Sequence, residues 1–333
     1  MEKSLAIIGA GSWGTALAIV LAPRFERVRL WVYEADLVER MARTRENDIF
    51  LPGFKLPANV EVAGDLKMTL EGAGTVIGVV PSRFARRTYG AALPHLDPEM
   101  NFVSATKGLE NGTLLRMSEV AREVIREKFS PRIAVLSGPT FAREVARGEP
   151  TAVVISSEDR ELAACVQRQF SGPSFRLYSN DDPTGVEIGA ALKNVIAIAA
   201  GICQGLGLGN NSLAALITRG LAEITRLAVA MGGQTRTLSG LAGLGDLVLT
   251  CTGELSRNRS VGMELAKGLK LAEIVSSMTM IAEGVETTSA AVELARKFNV
   301  DLPITQQMES ILKGLRSPRE AIRELMERTL KNE

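Results

Sequence analysis

Ser4-Leu5-Ala6-Ile7-Ile8-Gly9-Ala10-Gly11-Ser12-Trp13-Gly14-Thr15-Ala16-Leu17-Ala18 decides the fold. Residues 4–8 are uncharged and mostly apolar, and they predict a short strand. Gly9-Ala10-Gly11-Ser12-Trp13-Gly14 then fits G-x-G-x-x-G, and residues 13–21 are helical by composition. In this strand–turn–helix setting Gly9 allows a tight turn and Gly11 lets a pyrophosphate approach the backbone. Gly14 permits close helix–strand contact. The free N–H groups and positive end of the helix would hold the anion. Read without its glycines, the uncharged run 4–22 behind Lys3 imitates a signal peptide or a membrane span. Gly9, Gly11 and Gly14, with the hydroxyls of Ser12 and Thr15, argue against both.

Outward from this turn, strand-like runs recur at 28–32, 75–80 (stopped by Pro81), 102–105, 133–136 and 151–155. A helix is expected at 36–44, where Leu37, Val38 and Met41 share one face. Apolar runs without alternation, separated by helices, predict a parallel sheet covered on both faces. From about Gly185 the strands vanish. Helices are expected at 186–204, 212–231, 261–267, 286–298, 304–313 and 318–330. The expected architecture is α/β: a Rossmann-type doubly wound parallel sheet in residues 1–185, followed by an all-helical substrate-binding domain, 186–333. Ser179-Asn180-Asp181-Asp182-Pro183 is the candidate linker. The glycine-rich apolar stretch 195–208 contains Gln204 and is shorter than the roughly 20 residues of a membrane span. The reading is of a cytoplasmic enzyme that is not membrane-embedded.

A length of 333 residues gives a prior of about two domains. With 46% hydrophobic and 23% charged residues, intrinsic disorder is excluded. Thirty-nine basic against thirty-eight acidic residues leave a net charge of +1, which argues against nucleic acid as a partner. Cys165, Cys203 and Cys251 are odd in number and far apart, so neither a disulfide framework nor a zinc site is suggested. His95 is the only histidine, which argues against a Ser-His-Asp triad and a His-rich metal site. No metal is expected, and proton transfer falls to Lys, Asp, Glu or Tyr.

Glu34 lies 20 residues after Gly14, the offset of a carboxylate on a ribose 2′-hydroxyl, which favours NAD. A helix-start carboxylate has the same signature. No arginine cluster for a 2′-phosphate stands out, so NAD against NADP stays open. Lys193 is the only charge between Glu187 and Arg219. On so apolar a helix it either snorkels to solvent or is desolvated, with its pKa drawn toward neutrality. A lysine tuned in that way can protonate a developing alkoxide. Lys107 follows a predicted strand, where ligands bind in such sheets. Gly240-Leu241-Ala242-Gly243-Leu244-Gly245-Asp246 places a carboxylate in a glycine-rich segment. Ser256-Arg257-Asn258-Arg259 gathers two guanidiniums, either solvated or binding a phosphate.

These blocks, with Ala105-Thr106-Lys107-Gly108-Leu109-Glu110, Ser137-Gly138-Pro139-Thr140-Phe141-Ala142, Lys193-Asn194-Val195-Ile196-Ala197-Ile198, Leu216-Ile217-Thr218-Arg219-Gly220, Ile281-Ala282-Glu283-Gly284 and Leu302-Pro303-Ile304-Thr305, resemble the bacterial NAD(P)-dependent glycerol-3-phosphate dehydrogenases in order along nearly the whole chain. The resemblance implies reduction of dihydroxyacetone phosphate to sn-glycerol 3-phosphate with NADH or NADPH, feeding glycerophospholipid synthesis. It implies that Ser12, Trp13, Tyr33, Ala142, Ile281 and Glu283 line the dinucleotide with Gly9, Gly11, Gly14 and Arg257. Lys107 would contact cofactor and substrate, and Gly138 and Thr140 would help hold the substrate. Lys193 would be the acid–base residue, oriented by Asp246. Arg257 and Asn258, aided by Ser256, would grip the phosphate in a cleft between the domains. The partner would be a small phosphate ester, and the assembly a homodimer. Val32-Tyr33-Glu34 departs from the family, where basic or His residues are common, and puts the NADP preference in doubt.

A 3-hydroxyacid or 6-phosphogluconate-type dehydrogenase would need different residues around Lys193. A non-catalytic NAD(P)H sensor would have no need of Lys107, Lys193, Asp246 and Arg257 together.

Overall fold

The computed structural model describes residues 2–278, 280 and 282–330. Two compact units divide the chain. The first is Met1–Lys107 with Leu115–Glu187, and the second is Gly108–Leu114 with Ile188–Glu333.

The first unit holds one eight-stranded sheet: β1 (Glu2–Ile8), β2 (Phe25–Trp31), β3 (Val60–Ala63), β4 (Thr75–Gly78), β5 (Asn101–Ser104), β6 (Arg132–Ser137), β7 (Thr151–Ser156) and β8 (Phe175–Asn180). The order is β3-β2-β1-β4-β5-β6-β7-β8. Its helices are α1 (Ser12–Leu21), α2 (Ala35–Thr44), α3 (Leu66–Leu70), α4 (Ala85–Ala92), α5 (Met117–Ile125), α6 (Ala142–Arg147) and α7 (Arg160–Phe170). β1 shows why its apolar run does not alternate. Leu5 and Ile7 pack into one cluster with Leu17 and Leu21 of α1. Ala6 and Ile8 pack into another with Tyr89 of α4 and Val120 of α5. Both faces are covered, and each fully buried Leu or Ile contributes about 1.5–3 kcal/mol.

Six strand pairs are parallel, but β6 and β7 run antiparallel, with Leu136 opposite Ile155. The all-parallel expectation is corrected there. β3 and β8 carry little strand signal in the sequence. β3 is only four residues long, and β8 alternates buried and exposed positions at the sheet edge. Ser179 and Asn180 belong to β8 and Pro183 already opens a helix, so the expected linker shrinks to a two-residue turn.

The second unit is helical: α8 (Pro183–Gly205, which starts in the first unit), α9 (Asn210–Ala230), α10 (Thr235–Leu238), a π-helical turn (Leu241–Gly245), α11 (Asp246–Thr252), α12 (Arg257–Ala266), α13 (Leu271–Ser276), α14 (Glu283–Lys297), α15 (Pro303–Leu312) and α16 (Pro318–Met326). At 23 residues, α8 is long and apolar enough to cross a membrane, so length does not argue against a span. Every residue from 185 to 202 is buried within the protein, as befits a core helix. The other helices pack around it closely enough to need glycine. A Cβ at Gly201 would stand 1.9 Å from the Arg259 carbonyl oxygen, and one at Gly262 2.0 Å from that of Ile198.

Candidate active site

The glycine turn has the geometry its spacing requires. Gly9 sits at φ +121°, and a Cβ there would lie 2.7 Å from the Val79 carbonyl oxygen. A Cβ at Gly14 would lie 1.9 Å from the Gly9 carbonyl oxygen, so α1 abuts the turn as only glycine allows. A Cβ at Gly11 would meet nothing within 4 Å. No side chain caps α1 at its N-cap, Gly11, and a helix start of this kind offers backbone N–H groups to an anion. Trp13 Nε1 is buried without a hydrogen-bond partner among the described residues, a donor in want of an acceptor. Narrow turn, open cradle and orphan donor fit a dinucleotide pyrophosphate.

Asn47 pins this turn from behind. Its Nδ2 donates to the Ala10 carbonyl at 2.7 Å and to Thr15 Oγ1 at 2.9 Å. Nothing in the local sequence marks Asn47, which lies in the loop after α2. Tyr33 and Glu34 follow β2, with Tyr33 65% exposed and Glu34 at the start of α2.

Further along the carboxyl edge of the sheet, Lys107 Nζ donates to the Gly138 carbonyl at 3.2 Å. Thr140 Oγ1 donates to the same oxygen at 3.2 Å. Lys107, Gly138 and Thr140 thus converge at the ends of β5 and β6, and Ala142 opens α6 just beyond. Gly138 sits at φ +145°, and a Cβ there would stand 2.9 Å from Val153 Cα.

In the helical unit Lys193 projects from the middle of α8, 4% exposed, against a completely buried Asp246. Lys193 Nζ donates to Asp246 Oδ1 at 2.5 Å and to Thr250 Oγ1 at 2.9 Å. Snorkelling is thereby ruled out. The glycines explain the meeting. A Cβ at Gly189 would stand 2.8 Å from the Ala242 carbonyl oxygen, so α8 and the π-helical turn touch backbone to side. One turn further along each, four residues on, Lys193 faces Asp246. Burial disfavours the ammonium, and the carboxylate and hydroxyl beside it favour it. Thr250 was not anticipated, although its place four residues after Asp246 puts both on one helix face. Burial pushes the neighbouring Cys251 thiol up to about 12, so it stays protonated.

Asn258 ties three helices together. Its Nδ2 donates to Asn194 Oδ1 on α8 at 3.0 Å, and its Oδ1 accepts from the Gly284 N–H of α14 at 3.0 Å. The chain neighbours of this junction are Lys193, Arg257 and Glu283. Ser256 caps α12, its Oγ accepting from the Arg259 N–H. Arg257 is the first residue of α12 and keeps an exposed surface. Desolvation nonetheless lowers the pKa of its guanidinium, and the charge of Glu283 opposes that shift. Ile281 lies outside the described residues.

The family model for the NAD-dependent glycerol-3-phosphate dehydrogenase N-terminus matches residues 4–163, and that for its C-terminus matches residues 182–323. The glycerol-3-phosphate dehydrogenase (NAD(P)+) of Koribacter versatilis is 60% identical over 326 residues, 97% of this chain and 97% of that protein. The chain belongs to the NAD-dependent glycerol-3-phosphate dehydrogenase family. Another member, from Syntrophotalea carbinolica, is 53% identical over 99% of each chain. The crystal structure of glycerol-3-phosphate dehydrogenase from Coxiella burnetii matches with a TM-score of 0.93 at 42% identity, covering 98% of this chain and 99% of that one. Membership therefore extends over both the sheet unit and the helical unit.

Proposed function

We propose that this chain reduces dihydroxyacetone phosphate to sn-glycerol 3-phosphate with NADH or NADPH, and that it does so in the cytoplasm as a homodimer supplying glycerophospholipid synthesis. The observation that carries the chemistry is the buried Lys193, paired with Asp246 and Thr250 and adjoining the Asn194–Asn258–Gly284 junction. Placement, assembly and pathway rest on the family resemblance.

The Gly9–Gly14 turn would hold a dinucleotide, which would supply the hydride. Lys193 Nζ holds the proton that the carbonyl oxygen needs as its charge grows, and such general-acid help is worth about 10²–10⁴ in rate. Asp246 holds the amine in place through its Oδ1. Arg257 binds the substrate phosphate at the start of the ten-residue helix α12, where the helix end also favours an anion. A guanidinium fork can pair with two phosphate oxygens at once. Ser256 and Asn258 hold that helix start in place. Lys107, with Gly138 and Thr140, adds positive charge and positioning for the substrate. Anchoring the remote phosphate holds the carbonyl within reach of hydride.

The test is to mix the purified chain with dihydroxyacetone phosphate and follow the absorbance of NADH and of NADPH in parallel. Ketone-dependent oxidation of at least one cofactor, lost on Lys193→Ala, is expected. No ketone-dependent oxidation of either would reject the reading.

A further inference from the structure

The sheet order sets β2 and β4 on either side of β1, so their carboxyl ends flank the glycine turn. The segment leaving β2 carries Tyr33, and the segment leaving β4 leads into α4, which carries Arg87. These two side chains meet. The Arg87 guanidinium lies 5.9 Å above the Tyr33 ring centroid, and its Nη2 donates to the Tyr33 hydroxyl at 3.0 Å. Trp31, the last residue of β2, supports the same ring edge-on at 6.0 Å.

Arg87 differs from its neighbours. Arg86 pairs with Glu123 at 3.0 Å, and Arg83 lies over the Phe84 ring at 4.7 Å. Among the described residues Arg87 has no carboxylate partner, and its one hydrogen-bond acceptor is the neutral phenol. The guanidinium is thus fixed against the Tyr33 side chain, with no carboxylate beside it among the described residues. It stands beside the strand end where dinucleotide folds read the adenosine ribose. Preorganisation of this kind lowers the entropy lost on binding a phosphate.

We propose that Arg87, positioned by Tyr33, pairs with the 2′-phosphate of the dinucleotide and makes NADPH the preferred cofactor. The proposal rests on the reading that the Gly9–Gly14 turn binds a dinucleotide. It also accounts for a β2 end without a basic residue: the cation arrives from α4 instead. Glu34 is the opposing charge, half-buried at the start of α2, and it limits the preference rather than setting it.

The experiment is equilibrium titration of the full chain with NADPH and with NADH, read by nucleotide fluorescence, and competition by 2′,5′-ADP. Arg87→Ala should raise the Kd for NADPH about tenfold or more while moving that for NADH less than about twofold, the pattern of one lost charge-assisted pair. Affinity for 2′,5′-ADP should fall in step, and Arg87→Lys should recover part of both. Glu34→Gln should tighten NADPH alone. A Kd ratio of NADH to NADPH that is the same in Arg87→Ala as in the wild type overturns the proposal. Failure of the wild type to bind either dinucleotide overturns the reading of the glycine turn instead.

Discussion

The hydroxyl of Thr250 gives its proton to the main-chain carbonyl of Asp246, one turn back, at 2.6 Å, which leaves its lone pairs facing Lys193 Nζ at 2.9 Å. Thr250 is thus a fixed acceptor that aims the ammonium without competing for its charge. Thr250→Val should lower kcat by roughly ten- to a hundredfold, the worth of one hydrogen bond to a charged group. The KM for the ketone should change little, and Thr250→Ser should restore most of kcat. A wild-type kcat in the valine variant would remove Thr250 from the proton machinery.

The Lys193–Asp246 pair is buried, so removing one partner strands the other charge. Asp246→Leu and Lys193→Met should each cost about 3–5 kcal/mol in urea unfolding. The double variant, with no charge to strand, should cost less than the sum of the two. Additive losses would mean that the two groups do not depend on each other.

Much of this was open to a reader of the sequence, for reasons tied to particular residues. Gly9, Gly11 and Gly14 are legible because each answers a local steric demand. Lys193 is legible because an apolar helix makes a lone charge conspicuous. Three features were not. β6 and β7 look like any buried strands, and their antiparallel pairing is set by tertiary packing rather than by composition. Residues 108–114 fall in the helical unit although they lie deep in the first half, because Leu109 packs with the helical core. Asn47, Thr250 and Arg87 act across loops and helices that only the folded chain brings together.

Glu223 predicts a pH dependence of stability unrelated to catalysis. It is 1% exposed on α9 and accepts from the Ile304 N–H at 2.6 Å and the Thr305 N–H at 3.2 Å, capping α15. Burial pushes its carboxyl up to about 7, against the lowering effect of those hydrogen bonds and of Arg226. A folded pKa above the ordinary 4.5 means that the folded chain binds the extra proton. Stability from this group is therefore greatest below about pH 4.5 and falls as pH rises to about 7, by on the order of 3 kcal/mol. Glu223→Gln should show a flatter limb over that window when unfolding free energies are compared across pH. Parallel curves for the two proteins would refute the assignment.

Gly11 and Gly14 of the dinucleotide turn separate a cradle from a packing contact. Gly11 has φ −68°, which any residue adopts, and a Cβ there meets no protein atom. Gly11→Ala should therefore keep a near-wild-type Tm yet weaken NADH and NADPH binding by about tenfold or more, some 1.4 kcal/mol, because the methyl would occupy the open space that a pyrophosphate would take. Gly14→Ala instead drives its Cβ to 1.9 Å from the Gly9 carbonyl oxygen, and backbone must move. That variant should lose about 1–3 kcal/mol of stability as well as binding. If Gly11→Ala binds both dinucleotides as tightly as the wild type, the turn is a structural feature of the sheet and the cofactor lies elsewhere.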